Sequence, residues 1–182
     1  TKAILPVHYA GLAADLSAIG ALARRHGLKV VEDAAHALPT TLGGRLVGSF
    51  DSEATVFSFY ANKAITTGEG GMLVTEDDAL ADRVRQMSLH GISRDAWKRY
   101  TAAGSWYYEI EAAGFKDNMT DIAAAIGLGQ FAQLNVITAQ RRKLARHYFA
   151  TLGNDFEAQT GAQLPPADFQ NTNWHLFQIV LP

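Results

Sequence analysis

Two short apolar runs, residues 3–7 and 28–32, flank a segment whose hydrophobic residues recur at helical spacing. That alternation constrains the fold more than any other feature of the chain. Between the runs, residues 12–26 carry Leu16, Ile19, Leu22 and Ala23 on one helical face. Asp15 falls in the first turn, Arg24, Arg25 and His26 fall in the last, and Gly27 stands just beyond. This is the order that the helix dipole and a glycine C-cap prefer. Strand, helix and strand over this distance form a right-handed crossover, so the two strands pair in parallel.

The pattern continues down the chain. Residues 55–59 read as a third buried strand, and Gly43-Gly44 and Gly48-Ser49 before it are turn signals around a small hairpin. Residues 71–75 make a fourth strand, and residues 77–89 a helix with Leu80, Val84 and Met87 on one face. Residues 91–114 are polar and aromatic without a period and read as a long loop. Thr120 or Asp121 caps a long helix running towards Ala150, with Ile122, Ala125, Ile126, Leu134 and Ile137 inward. Residues 153–173 read as a linker and residues 174–181 as one more strand. The class is α/β with a mainly parallel sheet.

Composition narrows the function classes. With 16 Lys and Arg against 18 Asp and Glu, nothing in the 182 residues points to a nucleic-acid or membrane-surface partner. The absence of cysteine excludes a disulfide scaffold, a thiolate zinc site and a cysteine nucleophile, and it fits a reducing cytoplasm. Six histidines are scattered without ligand spacing, so no metal is expected. No run reaches the roughly 18 apolar residues of a membrane helix, and the N-terminus does not read as a signal peptide. Both ends resemble core strands cut open, and the expectation is a piece of a longer polypeptide.

Ligands in open parallel sheets sit beyond the carboxyl ends of the strands. Asp33 follows one such strand, with Ala35 and His36 just after it. Ser58 ends another, and Lys63 lies five positions on. Each has a plain reading by itself: a turn cap, a structural hydroxyl, a packed or solvent-facing imidazole, a solvated cation. The Gly68-Glu69-Gly70-Gly71 run is by itself a tight turn.

Taken in order, these segments resemble a known family. Val31-Glu32-Asp33-Ala34-Ala35-His36-Ala37 and Phe57-Ser58-Phe59-Tyr60-Ala61-Asn62-Lys63 are followed by Thr66-Thr67-Gly68-Glu69-Gly70-Gly71-Met72. Pro6-Val7-His8 with Gly11, the His90-to-Arg99 stretch, and Gly114-Phe115-Lys116-Asp117-Asn118-Met119-Thr120-Asp121-Ile122 extend the match, which resumes at His175-Leu176. Together they are similar to the DegT/DnrJ/EryC1/StrS family of fold type I, pyridoxal-phosphate-dependent sugar aminotransferases. The resemblance implies a three-layer large domain over residues 1–152, with its mainly parallel sheet, followed by a linker and the beginning of a small C-terminal domain over residues 153–182. It implies that Lys63 is the Schiff-base lysine and proton shuttle, and that Asp33 pairs with the pyridine nitrogen. Ala35 then lies against a ring face, His36 beside the ring near its phenolic oxygen, and Ser58 on the cofactor phosphate.

The resemblance also implies a homodimer with shared active sites, in which Lys116 or Asn118 reaches the neighbouring subunit's phosphate. Many members carry Asn at the position of Lys116, and an aromatic residue is common at that of Asp117. The implied reaction moves an amino group from an amino acid, with glutamate the expected donor, to a nucleotide-linked keto-sugar. The 94–108 loop, with Trp97, Lys98, Arg99, Trp106, Tyr107 and Tyr108, could close over that sugar. Arg141, Arg142, Lys143 and Arg146 read as a solvated helix face. Two rivals stand beside this reading: a non-catalytic truncated remnant, and the family's sugar 3-dehydratase branch, whose members carry histidine where this chain has Lys63. A nicotinamide dehydrogenase is disfavoured, because no glycine fingerprint follows any strand.

Overall fold

The runs expected to pair do so side by side. The computed structural model describes residues 1–93, 108–153 and 155–182, and β1 (Ala3–Ile4) lies parallel to β2 (Lys29–Asp33) with Ile4 opposite Val30. Between them α1 (Leu16–His26) buries Leu16 and Ala23. The helix starts four residues later than its periodicity suggests, because residues 9–11 form a tight 3-10 turn with Ala10 at φ 60°. Asp15 is therefore the N-cap rather than a first-turn residue, and its carboxylate accepts the Ala18 N–H at 2.9 Å.

Gly27 closes α1 at φ 61°, a left-handed cap with open space around it. Gly27→Ala is expected to cost about 1 kcal/mol of stability, from backbone strain alone, as read by urea denaturation.

Two more strands complete the sheet. β3 (Thr41–Leu42) and β4 (Arg45–Leu46) form the small hairpin that the glycine pair signals, with Gly43 and Gly44 both at positive φ. β5 (Ala54–Ser58) then runs parallel to β2, with Val31 opposite Ala54 and Asp33 opposite Val56. β6 (Gly71–Val74) pairs antiparallel to β5, giving the order β1-β2-β5-β6. The sheet is mainly parallel and the class is α/β. Val30, Ala54, Phe57, Phe59 and Ile65 are buried along its central strands and the loop after β5.

The chain divides into two compact units, Thr1–Val74 with Asp121–Pro182, and Thr75–Thr120. In the second, α2 (Asp78–Ser88) is capped by Asp77, whose carboxylate accepts the Ala79 and Leu80 N–H groups. Isolated bridges join Leu89 to Lys116 and Ile92 to Ile110, so the expected loop is closed by short antiparallel pairing at its base. Trp97, Lys98, Arg99, Trp106 and Tyr107 lie outside the described residues.

Three expectations are corrected in the first unit. The single long helix is two, α3 (Asp121–Phe131) and α4 (Leu134–Leu152), meeting at 58°. The break comes where the Gln133 N–H bonds back three residues to Gln130 at 2.9 Å, tightening the turn. Ile122, Ala125 and Ile126 are exposed rather than inward, whereas Leu134, Thr138 and Ala145 of α4 are buried. α3 is apolar on all sides, so its sequence pattern picks out no inward face.

Residues 174–181 are not a strand. Apart from a bridge from Val180 to Gln163, the segment is irregular, and its rings join an aromatic cluster on α4. Phe149 lies 5.8 Å from Trp174 and 5.1 Å from Phe177, and Phe169 stacks on Trp174 at 5.2 Å. A short apolar run is equally suited to a strand or to such a cluster. Within the expected linker, α5 (Phe156–Thr160) adds one short helix. No single helix among the described residues is long and apolar enough to cross a membrane.

The fourth expectation concerns the basic face of α4. Arg141 donates from Nη1 to the Trp174 and His175 carbonyls at 3.4 and 3.1 Å. Arg142 donates to the Gln170 carbonyl, and Arg146 lies 4.1 Å over the Phe169 ring. Three of the four cations hold the irregular C-terminal segment, which offers the free carbonyls that a sheet would have consumed.

Candidate active site

The site begins at the carboxyl ends of β2 and β5. Asp33 is the last residue of β2, and its backbone is fixed on both sides: its N–H donates to the Pro6 carbonyl at 2.9 Å and its carbonyl accepts the His8 N–H at 3.0 Å. Its carboxylate is exposed, and Oδ1 accepts the Ala35 N–H at 3.0 Å, which turns the chain sharply after the strand. Ala34 and Ala37 are buried on either side of this turn, leaving half-buried Ala35 and His36 at the rim.

A buried polar chain underlies the strand end. His8 and Glu32 are both fully buried, with Nε2 of His8 2.9 Å from Oε2 of Glu32. Nδ1 of His8 accepts the Ala14 N–H at 3.0 Å, so the ring proton sits on Nε2 and is donated to the carboxylate. Ser52 donates to the other oxygen at 2.5 Å. Burial pushes the Glu32 carboxyl up, but the hydrogen bonds from His8, Ser52 and Thr55 outweigh it and hold the group below its ordinary 4.5.

Ser58 ends β5 on the adjacent strand, and its Oγ accepts the Tyr60 N–H at 3.3 Å. The loop that follows is held by one carbonyl, that of Phe59, which accepts from the Thr67 N–H at 3.0 Å and the Thr66 hydroxyl at 3.1 Å. Buried Ala64 and Ile65 anchor the loop from below. Lys63, beside them, has its N–H on the Tyr60 carbonyl at 3.0 Å and its side chain half-buried.

His36 links these groups. Its Nδ1 accepts the Ala10 N–H at 3.2 Å, so the neutral ring carries its proton on Nε2 and presents that N–H as a donor. Burial depresses the imidazole below its ordinary 6.5, the charge of Lys63 pushes it further down, and Asp33 opposes both. Asp33, His36 and Lys63 therefore share one electrostatic neighbourhood. A carboxylate and a hydroxyl thus end two neighbouring strands, and an imidazole and an amine follow just after them. That donor set suits an aldehyde, a protonated ring nitrogen, an anionic oxygen and a phosphate.

Lys116 and Asn118 belong to the second unit. There Lys116 Nζ donates to Asn118 Oδ1, so the two candidates for one role are bonded to each other.

Residues to which the sequence assigned no role also meet here. Asn173, buried, donates from Nδ2 to the His36 and Leu38 carbonyls at 2.8 and 3.0 Å. The His175 ring packs against that of His36, with centroids 4.3 Å apart and a tilt of 36°. Gly11 stands at φ 95°, and a Cβ there would fall 1.9 Å from Oδ1 of Asn173. Residues so distant in sequence leave no local signal.

The model of the DegT/DnrJ/EryC1/StrS aminotransferase family matches residues 1–182. The spore coat polysaccharide biosynthesis protein SpsC of Bacillus subtilis (strain 168) is 53% identical over 180 residues, covering 98% of this chain and 45% of that protein. Among solved structures, Helicobacter pylori PseC, an aminotransferase involved in the biosynthesis of pseudoaminic acid, superposes with a TM-score of 0.88 at 27% identity, over 100% of this chain and 46% of that one. DesI, solved in the presence of its TDP-sugar product, gives a TM-score of 0.81 at 29% identity, over 100% of this chain and 42% of that one. The chain spans about half the length of the relatives it matches.

Proposed function

The chain belongs to the pyridoxal-phosphate-dependent DegT/DnrJ/EryC1/StrS aminotransferase family, and from that premise we propose that it carries the cofactor-binding core of a sugar aminotransferase. The parent enzyme moves an amino group from an amino acid, glutamate in our reading, to the keto group of a nucleotide-linked sugar. The nucleotide part of this reading is supported by DesI, whose product is a TDP-sugar. The observation that carries the proposal is that the charges of Lys63 and Asp33 both act on His36, in a chain the family model matches from end to end.

When bound, pyridoxal phosphate supplies the electron sink that stabilises negative charge on the substrate carbon. Lys63 is the residue that holds it covalently through Nζ and later moves a proton at that atom. Asp33, rigid at the end of β2, keeps a ring nitrogen protonated by offering it a carboxylate. Ala35 leaves room for a ring face, where a longer side chain would intrude. His36 donates its Nε2–H to an anionic ring oxygen, and Ser58 offers its hydroxyl to the phosphate.

The parent is read as a homodimer with shared sites, in which Lys116 or Asn118 reaches the phosphate of the neighbouring subunit. The exposed apolar side chains of Ile122, Leu128 and Phe131 on α3 favour a covering partner. Residues 1–152 are assigned to the large domain and 153–182 to the linker and the start of the small domain. The cysteine-free sequence supports a cytoplasmic setting. The lysine at position 63 favours amino transfer over the dehydratase branch.

The test is to load the complete polypeptide with pyridoxal phosphate, reduce it with borohydride and map the adduct. A label on Lys63 is the expected result. A protein that takes no label, or takes it on a different lysine, overturns the reading in favour of a non-catalytic remnant.

A further inference from the structure

The four residues from Thr172 to His175 are built as a clamp. The Thr172 hydroxyl donates to the Gly11 carbonyl at 2.8 Å and its Oγ1 accepts the Trp174 N–H at 3.2 Å. Buried Asn173 spends its amide on two carbonyls of the 36–38 segment and accepts the His175 N–H at 2.9 Å on Oδ1. Trp174 sits at φ 55°, a conformation that a bulky side chain adopts only when its surroundings impose it. Gly11 leaves the space that Asn173 fills. From α4, Arg141 holds the His175 carbonyl. All of this delivers one side chain, the His175 imidazole, which is 7% exposed and tilted 36° on the back of His36. Its Nδ1 is buried without a partner among the described residues.

An imidazole this buried, with an orphaned nitrogen, is costly unless its position serves something else. What it touches is the ring on which the charges of Asp33 and Lys63 act. We propose that His175 is a positioning residue of the cofactor site: by packing behind His36 it fixes that ring in place and shields it, so that His36 stays a neutral Nε2–H donor. The inference deepens the aminotransferase reading and rests on it for the cofactor, though not for the state of His36.

The surroundings agree in sign. The groups acting on His175 are His36 beside it, Lys63 from the loop after β5 and Arg141 from α4. Burial first, and then the proximity of a second imidazole and the Lys63 and Arg141 charges, push its imidazole down to about 4. Asp33 acts on the His36 side of the pair and opposes the shift there. A second cationic ring against His36 is therefore disfavoured down to that pH, and the packed pair remains neutral through the physiological range.

The test uses the complete polypeptide with His175→Ala, His175→Gln and His175→Phe, and reads two quantities. In the cofactor-free protein, nitrogen-15 histidine spectra followed against pH report the tautomer and titration of His36. In the loaded protein, the dissociation constant for pyridoxal phosphate and the visible circular dichroism report how firmly the cofactor is held. With Ala or Gln, His36 is expected to titrate upward towards its ordinary value and cofactor affinity to fall about tenfold, one well-placed supporting contact. With Phe, which keeps a flat ring behind His36, both quantities are expected to stay close to wild type.

An Ala or Gln variant in which His36 and affinity are unchanged overturns the inference. So does a folded Phe variant that loses as much as Ala. If wild-type Lys63 takes no cofactor, the aminotransferase reading fails while the His36 titration still decides the role of His175.

Discussion

Lys63→Ala in the complete polypeptide is expected to lower amino transfer by at least about 10³-fold while leaving the fold intact. Two losses combine at one atom. The variant has no amine to hold the cofactor covalently, and no base placed to move the proton at the reacting carbon. The local structure tolerates the change, because the loop is held by the Phe59 carbonyl and by buried Ala64 and Ile65, none of which uses the lysine side chain. Steady-state rates beside a thermal melt separate the two effects. His36 offers a second readout: the Lys63 charge depresses it, so its titration moves upward in the variant. Retained turnover at the wild-type rate would remove Lys63 from the mechanism.

Glu32→Ala carries the largest expected loss of stability, about 3–5 kcal/mol in urea denaturation, because it strands the buried His8 N–H and the Ser52 hydroxyl together. Glu32→Gln is expected to cost less, about 1–2 kcal/mol. Its amide oxygen can still accept from His8, while its NH₂ donates to the Ser52 oxygen. The pH dependence has a definite sign. The folded-state carboxyl lies below its ordinary 4.5, so its contribution is fully present above that value and is lost as pH falls through the depressed one. Wild type and Glu32→Gln should therefore converge in stability as the solution is acidified below about pH 4.5. A constant difference between them across that window would show that the carboxylate charge is not what the buried chain stabilises.

Lys63 and its neighbours were readable from the sequence for a local reason, whereas the buried His8–Glu32–Ser52 chain was not. Asp33, Ser58 and Lys63 stand at or just after strand ends, and two adjacent parallel strands bring such positions together without any further information. The β1–α1–β2 crossover was legible because its period, caps and breaker agree. The α3–α4 break was not, because α3 is apolar on every side and its sequence leaves the inward face open. Nor was the role of Arg141, whose carbonyl partners exist only because residues 174–181 fold as irregular chain. The contacts of His175 and Asn173 with His36 escaped for the plainest reason: Asn173 bonds to His36 across 137 positions, and no window of sequence spans that distance.

The bond from Thr172 to Gly11 joins residues 161 positions apart, and it has a consequence in time. During synthesis the strand ends bearing Asp33, Ser58 and Lys63 emerge first and can pair as soon as they leave the ribosome. The wall behind His36 cannot exist until residues 172–175 have followed. Closing a loop of that length is slow, and its entropic cost must be met before any contact within it is rewarded. Nascent chains stalled before residue 172 would thus present the lysine and its acid without their backing, and chains extended beyond it would present His36 with its wall in place. Completion of this wall is a late event in the synthesis of the chain, set by when residues 172–175 arrive.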